Sequence, residues 1–210
     1  KLGKNIFKGN NHVAGTDAER LSDLQQALDD KKIKAIWCAR GGYGTVRIID
    51  NVDFTKFKKN PKWIIGFSDI TVLHSHIHNL GFETLHSVLG VSVGFSEDKN
   101  QESIDTFKKA IFGKPLNYKV SQGNYNKAGS VKGQLVGGNL SILQSLLGSN
   151  SSIKTDGKIL FFEEVGEYLY QIDRMVYALK RAGYFENCKG LIIGGMSKVR
   201  KNTTPWGQSV

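Results

Sequence analysis

The sequence predicts an α/β protein, in which a doubly wound parallel sheet forms the N-terminal domain and a second, smaller α+β domain follows. Two observations carry this prediction. Short apolar runs typical of buried strands alternate with segments whose apolar residues recur at helical spacing, which is the pattern of a parallel sheet covered by helices. A polar stretch then interrupts the alternation after residue 113. We therefore expect domains at 1–114 and 134–210, with residues 115–133 crossing between them.

Local signals predict the elements of the first domain. Thr16 and Glu19 form a capping box, and the apolar residues that follow recur at the spacing of a helix. Apolar runs that end in glycine or polar turns predict strands, and the periodic segments between them predict further helices. The expected strands lie at 33–39, 63–67 and 82–86, and the expected later helices at 46–50, 69–80 and 103–112.

The second domain continues the alternation without internal repeats. The expected strands lie at 131–136, 158–164 and 190–193, and the expected helices at 139–147 and 169–182. The order strand, helix, strand, helix, strand again favours a sheet with helical connections.

The composition argues against a membrane-spanning protein and against a nucleic-acid-binding protein. The chain has 210 residues, 40% of them hydrophobic, and no apolar run approaches the roughly 18 residues of a membrane span. Its net charge is +10, but the lysines are scattered, so we expect a solvated basic surface with neither a nucleic-acid nor a membrane partner. A basic nucleic-acid module, the alternative, predicts binding that weakens steeply with salt.

The lone Cys38 and Cys188 favour a reducing compartment, and we expect a cytoplasmic location.

Ser68 stands where an apolar run passes into a helix. The run 63–65 predicts a buried strand, Gly66 breaks it, and a helical segment begins at Asp69. A serine at such a turn has the geometry of a nucleophile elbow, which lifts the hydroxyl above the sheet beside a helix N-terminus. Ile70 stands where the usual elbow has a second glycine, so an N-cap serine in an ordinary loop is the alternative.

A glycine-rich segment, residues 39–44, follows the preceding predicted strand. Its glycines leave backbone N–H groups free to face a ligand. The segment matches neither the dinucleotide fingerprint nor the phosphate-binding loop. We predict an oxyanion hole or a carboxylate cradle, because adjacent parallel strands place their carboxyl ends side by side. A tight turn that requires positive φ is the alternative.

Several motifs, in order, resemble the LD-carboxypeptidase family of serine peptidases, which includes murein tetrapeptide carboxypeptidases and microcin C immunity peptidases. Each motif alone is unspecific, but their order and spacing extend the resemblance from about residue 13 to 195. They lie at 14–17, 39–44, 66–69, 137–140, 162–167 and 172–175.

This resemblance implies a Ser-Glu-His triad that removes the terminal D-alanine from murein tetrapeptides during peptidoglycan recycling, with no metal and no cofactor. It places the nucleophile on Ser68 and the carboxylate that orients the histidine on Glu163. The backbone amides of Gly41 and Asp69 would form the oxyanion hole. It also implies a murein peptide as partner and pairing into a homodimer.

Other residues carry weaker predictions. Glu164 and Glu167 are alternatives to Glu163 on sequence grounds alone. Asn139 is expected to cap a helix, and the resemblance adds a contact with substrate. Arg174 follows an aspartate on a predicted helix and is expected to form an ion pair.

None of the five histidines is a convincing general base. His74 and His78 share a helix face at a spacing that can suit zinc, but the glutamate of that motif is absent, so we expect a surface cluster. The resemblance places His86 and Gly42 near the substrate. The family's histidine follows the last strand, in a Gly-His loop that this sequence lacks. We therefore expect both ends of the protein to lie outside this chain, and the chain alone to be inactive.

Two alternative functions remain. Some family members resemble microcin C immunity peptidases, which cut an amide in a peptidyl-nucleotide toxin and need an aromatic platform for the base. Trp206 is a candidate for that platform by residue type only. A non-catalytic protein that binds murein peptides is the other alternative.

Overall fold

The computed structural model describes residues 1–9, 11, 13–93, 101–121, 123–204 and 207. The α-helices are α1 (Asp17–Asp29), α2 (Thr55–Lys59), α3 (Thr71–Asn79), α4 (Gln101–Ile111), α5 (Leu140–Ser145) and α6 (Leu169–Arg181). The strands are β1 (Ala35–Trp37), β2 (Trp63–Gly66), β3 (Leu85–His86), β4 (Leu135–Asn139), β5 (Ile159–Val165) and β6 (Gly190–Ser197).

These strands form two three-stranded sheets, one in the order β1-β2-β3 and one in the order β4-β5-β6. All four strand pairs are parallel, with Ile36 opposite Ile64 in the first sheet and Gly137 opposite Phe161 in the second. The predicted α/β class with parallel sheets is confirmed. The strands of the second sheet all run in the same direction, as they do in the first. The carboxyl ends of the strands in each sheet therefore share one edge.

Local signals explain the first helix and part of the rest. Thr16 and Glu19 form the predicted capping box at the start of α1. The segment predicted as a helix at 46–50 consists of two 3₁₀ turns, and α2 was not predicted. Strand β4 lies at Leu135–Asn139, later than the predicted 131–136, because Gly137 and Gly138 form part of the strand and do not end it.

Each sheet packs on its own core. The first core centres on Phe57, Ile64 and Ile77, and the second on Leu143, Leu160 and Leu179. The two meet where α3 packs against β4 and α5. Polar contacts join the same surfaces, since His76 Nδ1 lies 2.9 Å from Ser151 Oγ and Asn79 Nδ2 donates to the Ser152 carbonyl at 2.8 Å. The two sheets are therefore held against each other.

None of the helices in the described ranges is both long and apolar enough to cross a bilayer.

Candidate active site

Ser68 lies on a sharp turn between β2 and α3. Strand β2 ends at Gly66, a 3₁₀ turn spans Ser68–Ile70, and α3 begins at Thr71. The backbone of Ser68 has a φ of 63°, a left-handed value that is uncommon in residues other than glycine. Such strain persists only where the surrounding structure holds it, and it often marks functional sites. The turn predicted from the sequence is present, and its strained residue is the serine.

Gly41 packs directly against this serine. A Cβ atom on Gly41 would lie 2.8 Å from Ser68 Cβ and 3.1 Å from Ser68 Oγ, so a larger residue would displace the hydroxyl. In the described part of the chain, the Gly41 N–H has no backbone acceptor. Gly42 has a φ of 78° and open space where its Cβ would be, which is the tight turn that the sequence allowed. The glycine-rich loop thus brings a free backbone donor to the candidate nucleophile.

Asp69 ties the serine turn to the chain just after the glycine-rich loop. Its buried carboxylate accepts from the Thr45 N–H at 2.9 Å and from Thr45 Oγ1 at 2.7 Å. Burial raises the pKa of the Asp69 carboxyl, and the two bonds from Thr45 oppose this. The sequence predicts only a backbone role for Asp69, because a partner 24 residues away gives no local signal.

The carboxyl end of β4 rests on the first turn of α3. The Asn139 N–H donates to Thr71 Oγ1 at 3.0 Å, and a Cβ atom on Gly138 would lie 2.6 Å from that same oxygen. The Asn139 side chain caps α5, since its Oδ1 accepts from the Ile142 N–H at 3.2 Å. The structure thus shows the predicted N-cap. Thr71, for which the sequence carries no local signal, joins the two sheets beside Ser68.

Asn139 also lies opposite Glu163 in the register of β4 and β5. The pairing of β5 with β6 is irregular at Glu163, and a Cβ atom on Gly194 would lie 3.1 Å from Glu163 Cβ. A continuous series of contacts therefore leads from the serine turn through Thr71 and Asn139 to Glu163.

The Glu164 side chain is hydrogen-bonded to groups at the end of β4 and the start of α5. It is buried, and its carboxylate accepts from Asn139 Nδ2 at 3.0 Å and from the N–H groups of Ser141 and Val165 at 2.8 Å each. All three partners are donors, so this carboxylate is occupied in holding the end of β4 and the start of α5.

Glu163, in contrast, keeps a free oxygen. Its side chain is partly buried, and its Oε1 is buried without a hydrogen-bond partner among the described residues. Burial raises the pKa of the Glu163 carboxyl; the nearby Asn139 amide lowers it and the Glu164 charge raises it. Glu167, the third acid, lies beyond β5 and has no ion pair among the described residues. Of the three acids, Glu163 has the buried acceptor that the fold leaves unused.

Replacing Glu164 by glutamine should lower the free energy of unfolding by about 2 kcal/mol, because one of the three bonds to a charged acceptor becomes a contact between two donors. Urea denaturation followed by circular dichroism measures this. The exposed Glu83→Gln is the matched control and should stay within about 0.5 kcal/mol of the unchanged protein. Equal stability of all three proteins would show that the Glu164 bonds contribute nothing.

The histidines on α3 do not form the expected surface cluster. His74 is buried, and its Nε2 lies 2.9 Å from the Gly66 carbonyl oxygen, while the His76 ring stacks on Phe54. Burial lowers the pKa of His74 to about 4, so its ring is neutral near pH 7. The surface prediction was wrong for His74 because the helix packs closely on β2. Among the described residues, no group of three or more His, Cys, Asp or Glu side chains could hold a metal ion.

His86 lies between the two sheets. Its ring meets Phe161 of β5 edge-on at 5.2 Å and lies 5.9 Å from the His74 ring. Burial lowers the pKa of His86 to about 4. The same residue lines a cavity of about 430 Å³ together with Phe67, so the predicted place of His86 near a substrate stays a prediction with a cavity beside it.

Arg174 does not form the predicted ion pair. Its guanidinium lies over the Tyr170 ring at 5.5 Å, and none of the described carboxylates lies within 4.0 Å of it. A cation over an aromatic face replaces the expected carboxylate. Both cysteines are free thiols. The candidate aromatic platform at Trp206, and His12, lie outside the described residues.

Comparison with known proteins identifies the family. Sequence profiles of the LD-carboxypeptidase N-terminal domain and C-terminal domain match residues 1–87 and 132–209. The probable murein peptide carboxypeptidase of Bacillus subtilis is 40% identical over 197 residues, which cover 92% of this chain and 61% of the relative. The chain thus spans about three fifths of the length of that relative.

Solved structures share the fold of this chain. The muramoyltetrapeptide carboxypeptidase of Oxalobacter formigenes superposes with a TM-score of 0.80 at 26% identity, covering 93% of this chain and 68% of that one. MccF in complex with glutamyl sulfamoyl guanosine superposes with a TM-score of 0.81 at 22% identity, covering 95% and 68%, which shows a shared fold. The chain belongs to the LD-carboxypeptidase family.

Proposed function

We propose that this chain is part of a serine-type LD-carboxypeptidase that removes the terminal D-alanine from murein tetrapeptides. The observation that carries the proposal is the strained Ser68 turn with the Gly41 backbone packed against its hydroxyl. Membership of the family and the likeness to proteins named murein peptide and muramoyltetrapeptide carboxypeptidases support the substrate class. A cytoplasmic place in peptidoglycan recycling and pairing into homodimers belong to the same proposal.

In this mechanism Ser68 Oγ attacks the carbonyl that joins the L-centre of the diamino acid to D-alanine. The backbone N–H groups of Gly41 and Asp69 donate to the oxyanion that forms. A histidine accepts the serine proton and passes it to the amine of the departing D-alanine. Water then attacks the acyl-enzyme, and the second product leaves with a free carboxylate.

The unpartnered oxygen of Glu163 supports its role as the carboxylate that orients the histidine. Such a carboxylate accepts from the imidazole and stabilises the imidazolium that forms during attack. Glu164 is less suited, because its three bonds already use both oxygens. Among the described histidines, His74 and His76 have partners elsewhere, and burial lowers the pKa of His86 to about 4. The family resemblance places the base in a loop after the last strand, so we take the base of this mechanism to lie outside the described residues.

The test is D-alanine release by the full-length protein. The substrate is L-Ala-γ-D-Glu-meso-diaminopimelate-D-Ala, and the control is the pentapeptide that ends in a D,D bond. We expect release from the tetrapeptide only, because the scissile carbonyl must belong to an L-centre. Folded full-length protein that releases no D-alanine from the tetrapeptide would contradict the murein proposal.

A second candidate function has one specific observation in its favour. The fold matches that of MccF bound to glutamyl sulfamoyl guanosine as well as it matches a muramoyltetrapeptide carboxypeptidase. The alternative is therefore a toxin immunity peptidase that cleaves a peptidyl-nucleotide amide. Incubating the same protein with an aminoacyl sulfamoyl nucleoside distinguishes the two, since only this function predicts release of the free amino acid.

A further inference from the structure

Two tyrosines and two arginines form a cluster at the start of α6. The Tyr168 and Tyr170 rings stack at 5.8 Å with an angle of 27° between their planes. The Arg174 guanidinium lies 5.5 Å from the centre of the Tyr170 ring, and the Arg200 guanidinium lies 5.7 Å from that of Tyr168. Both distances are within the range of a cation–π contact. We call these four residues the Arg–Tyr cluster.

The fold fixes this cluster on the same edge of the second sheet as Glu163. Strand β5 ends at Val165, and Tyr168 is the N-cap residue of α6. Arg200 follows β6 and is joined to the same loop, since its N–H donates to the Glu167 carbonyl at 3.0 Å and its backbone bridges to Tyr168. The cluster therefore lies beyond the carboxyl ends of β5 and β6, the edge at which parallel sheets bind ligands.

The two guanidiniums of this cluster contact aromatic rings but no acidic partner in the described part of the chain. Neither Arg174 nor Arg200 has an ion pair or a side-chain hydrogen bond with a described residue, although Glu167 and Asp173 are close in sequence. Arg47, by comparison, pairs with Asp17 at 2.7 Å. Two guanidiniums held over aromatic rings, with their N–H donors free, suit a carboxylate or phosphate, which accepts two such bonds side by side.

We propose that the Arg–Tyr cluster binds an anionic group of the substrate away from the scissile bond. This inference rests on the proposed function and deepens it. A murein tetrapeptide carries carboxylates besides the one on D-alanine, and a peptidyl-nucleotide carries a phosphate-like group, so either substrate offers the required oxyanion. The rings limit the movement of each guanidinium, which lowers the entropy lost when the anion binds.

The experiment measures affinity separately from turnover. Calorimetry on the full-length protein carrying Ser68→Ala gives the Kd of the tetrapeptide and of variants in which each carboxylate in turn is amidated. In that protein, Arg174→Gln and Arg200→Gln should each weaken tetrapeptide binding roughly tenfold, because each removes bonds to a charged partner. One of the amidated peptides should bind about equally to all three proteins, because it lacks the anion that the arginines hold.

Arg181→Gln, on the last turn of α6, is the matched control and should leave every Kd unchanged. A third arm uses an aminoacyl sulfamoyl nucleoside; a tenfold loss confined to this ligand assigns the oxyanion to the nucleotide. The inference is wrong if neither arginine variant changes the Kd of any ligand, or if the charged and amidated peptides lose affinity equally. Its failure is distinct from that of the proposed function, which is judged by D-alanine release from the unsubstituted protein.

Discussion

Replacing Ser68 by alanine should lower the rate of D-alanine release by the full-length protein by about 10⁴-fold or more, because no other group supplies the attacking oxygen. The loss should lie in kcat, with little change in substrate affinity, since the hydroxyl forms a bond only during the reaction. Release measured at saturating tetrapeptide tests this.

Ser68→Gly is the informative companion variant. The φ of 63° at this position costs an L-residue about 1 kcal/mol relative to glycine, so Ser68→Gly should be more stable than Ser68→Ala. Both variants lack the hydroxyl and should be equally inactive. Thermal unfolding and the release assay separate the two effects. A Ser68→Ala protein that keeps a tenth of the activity would place the nucleophile elsewhere.

The parts of this site that the sequence predicted are those made by neighbouring residues. A capping box, an apolar run and a glycine before a serine are local signals, and they located α1, β2 and the turn at Ser68. The glycine-rich loop was predicted to provide free N–H groups because it follows a strand, and Gly41 does pack against Ser68. These predictions depend on signals that adjacent residues of the sequence provide.

Residues whose surroundings are tertiary could not be predicted in the same way. Glu163 and Glu164 are adjacent acids at the end of one strand, and only the fold shows that Glu164 is occupied by Asn139 and Ser141. Arg174 was expected to pair with a carboxylate, but a tyrosine one helical turn earlier lies under it. The spacing of residues along a helix shows which neighbours a side chain can reach, but not which of them it contacts.

The end of β4 also differs from the prediction, because the two glycines there have a tertiary role. Glycine pairs usually signal a turn, so the strand was predicted to end before them. In the structure Gly137 and Gly138 have φ values of 143° and 151°, and both pair with β5. They are glycines because neighbouring atoms approach closely: the Phe161 carbonyl on one side and Thr71 on the other.

Gly137→Ala should therefore be the most destabilising single substitution proposed for this protein, at more than about 4 kcal/mol. The new Cβ atom would lie 1.7 Å from the Phe161 carbonyl oxygen, which is far inside van der Waals contact. The backbone φ of 143° is also one that alanine avoids. Relief requires β4 to move away from β5, so soluble expression and urea denaturation should both show the loss.

Gly148→Ala separates the clash from the backbone cost. Gly148 has a φ of 80°, and a Cβ atom there meets nothing within 4 Å, so alanine should cost only about 1–2 kcal/mol. A similar loss in both variants would show that β4 can move without penalty.

Movement of β4 would also shift Asn139, which pairs with Glu163 and donates to Thr71 beside the serine turn. Any Gly137→Ala protein that folds should then bind and cleave substrate poorly, because the strand that packs tightly at Gly137 is the same strand that connects Ser68 to Glu163.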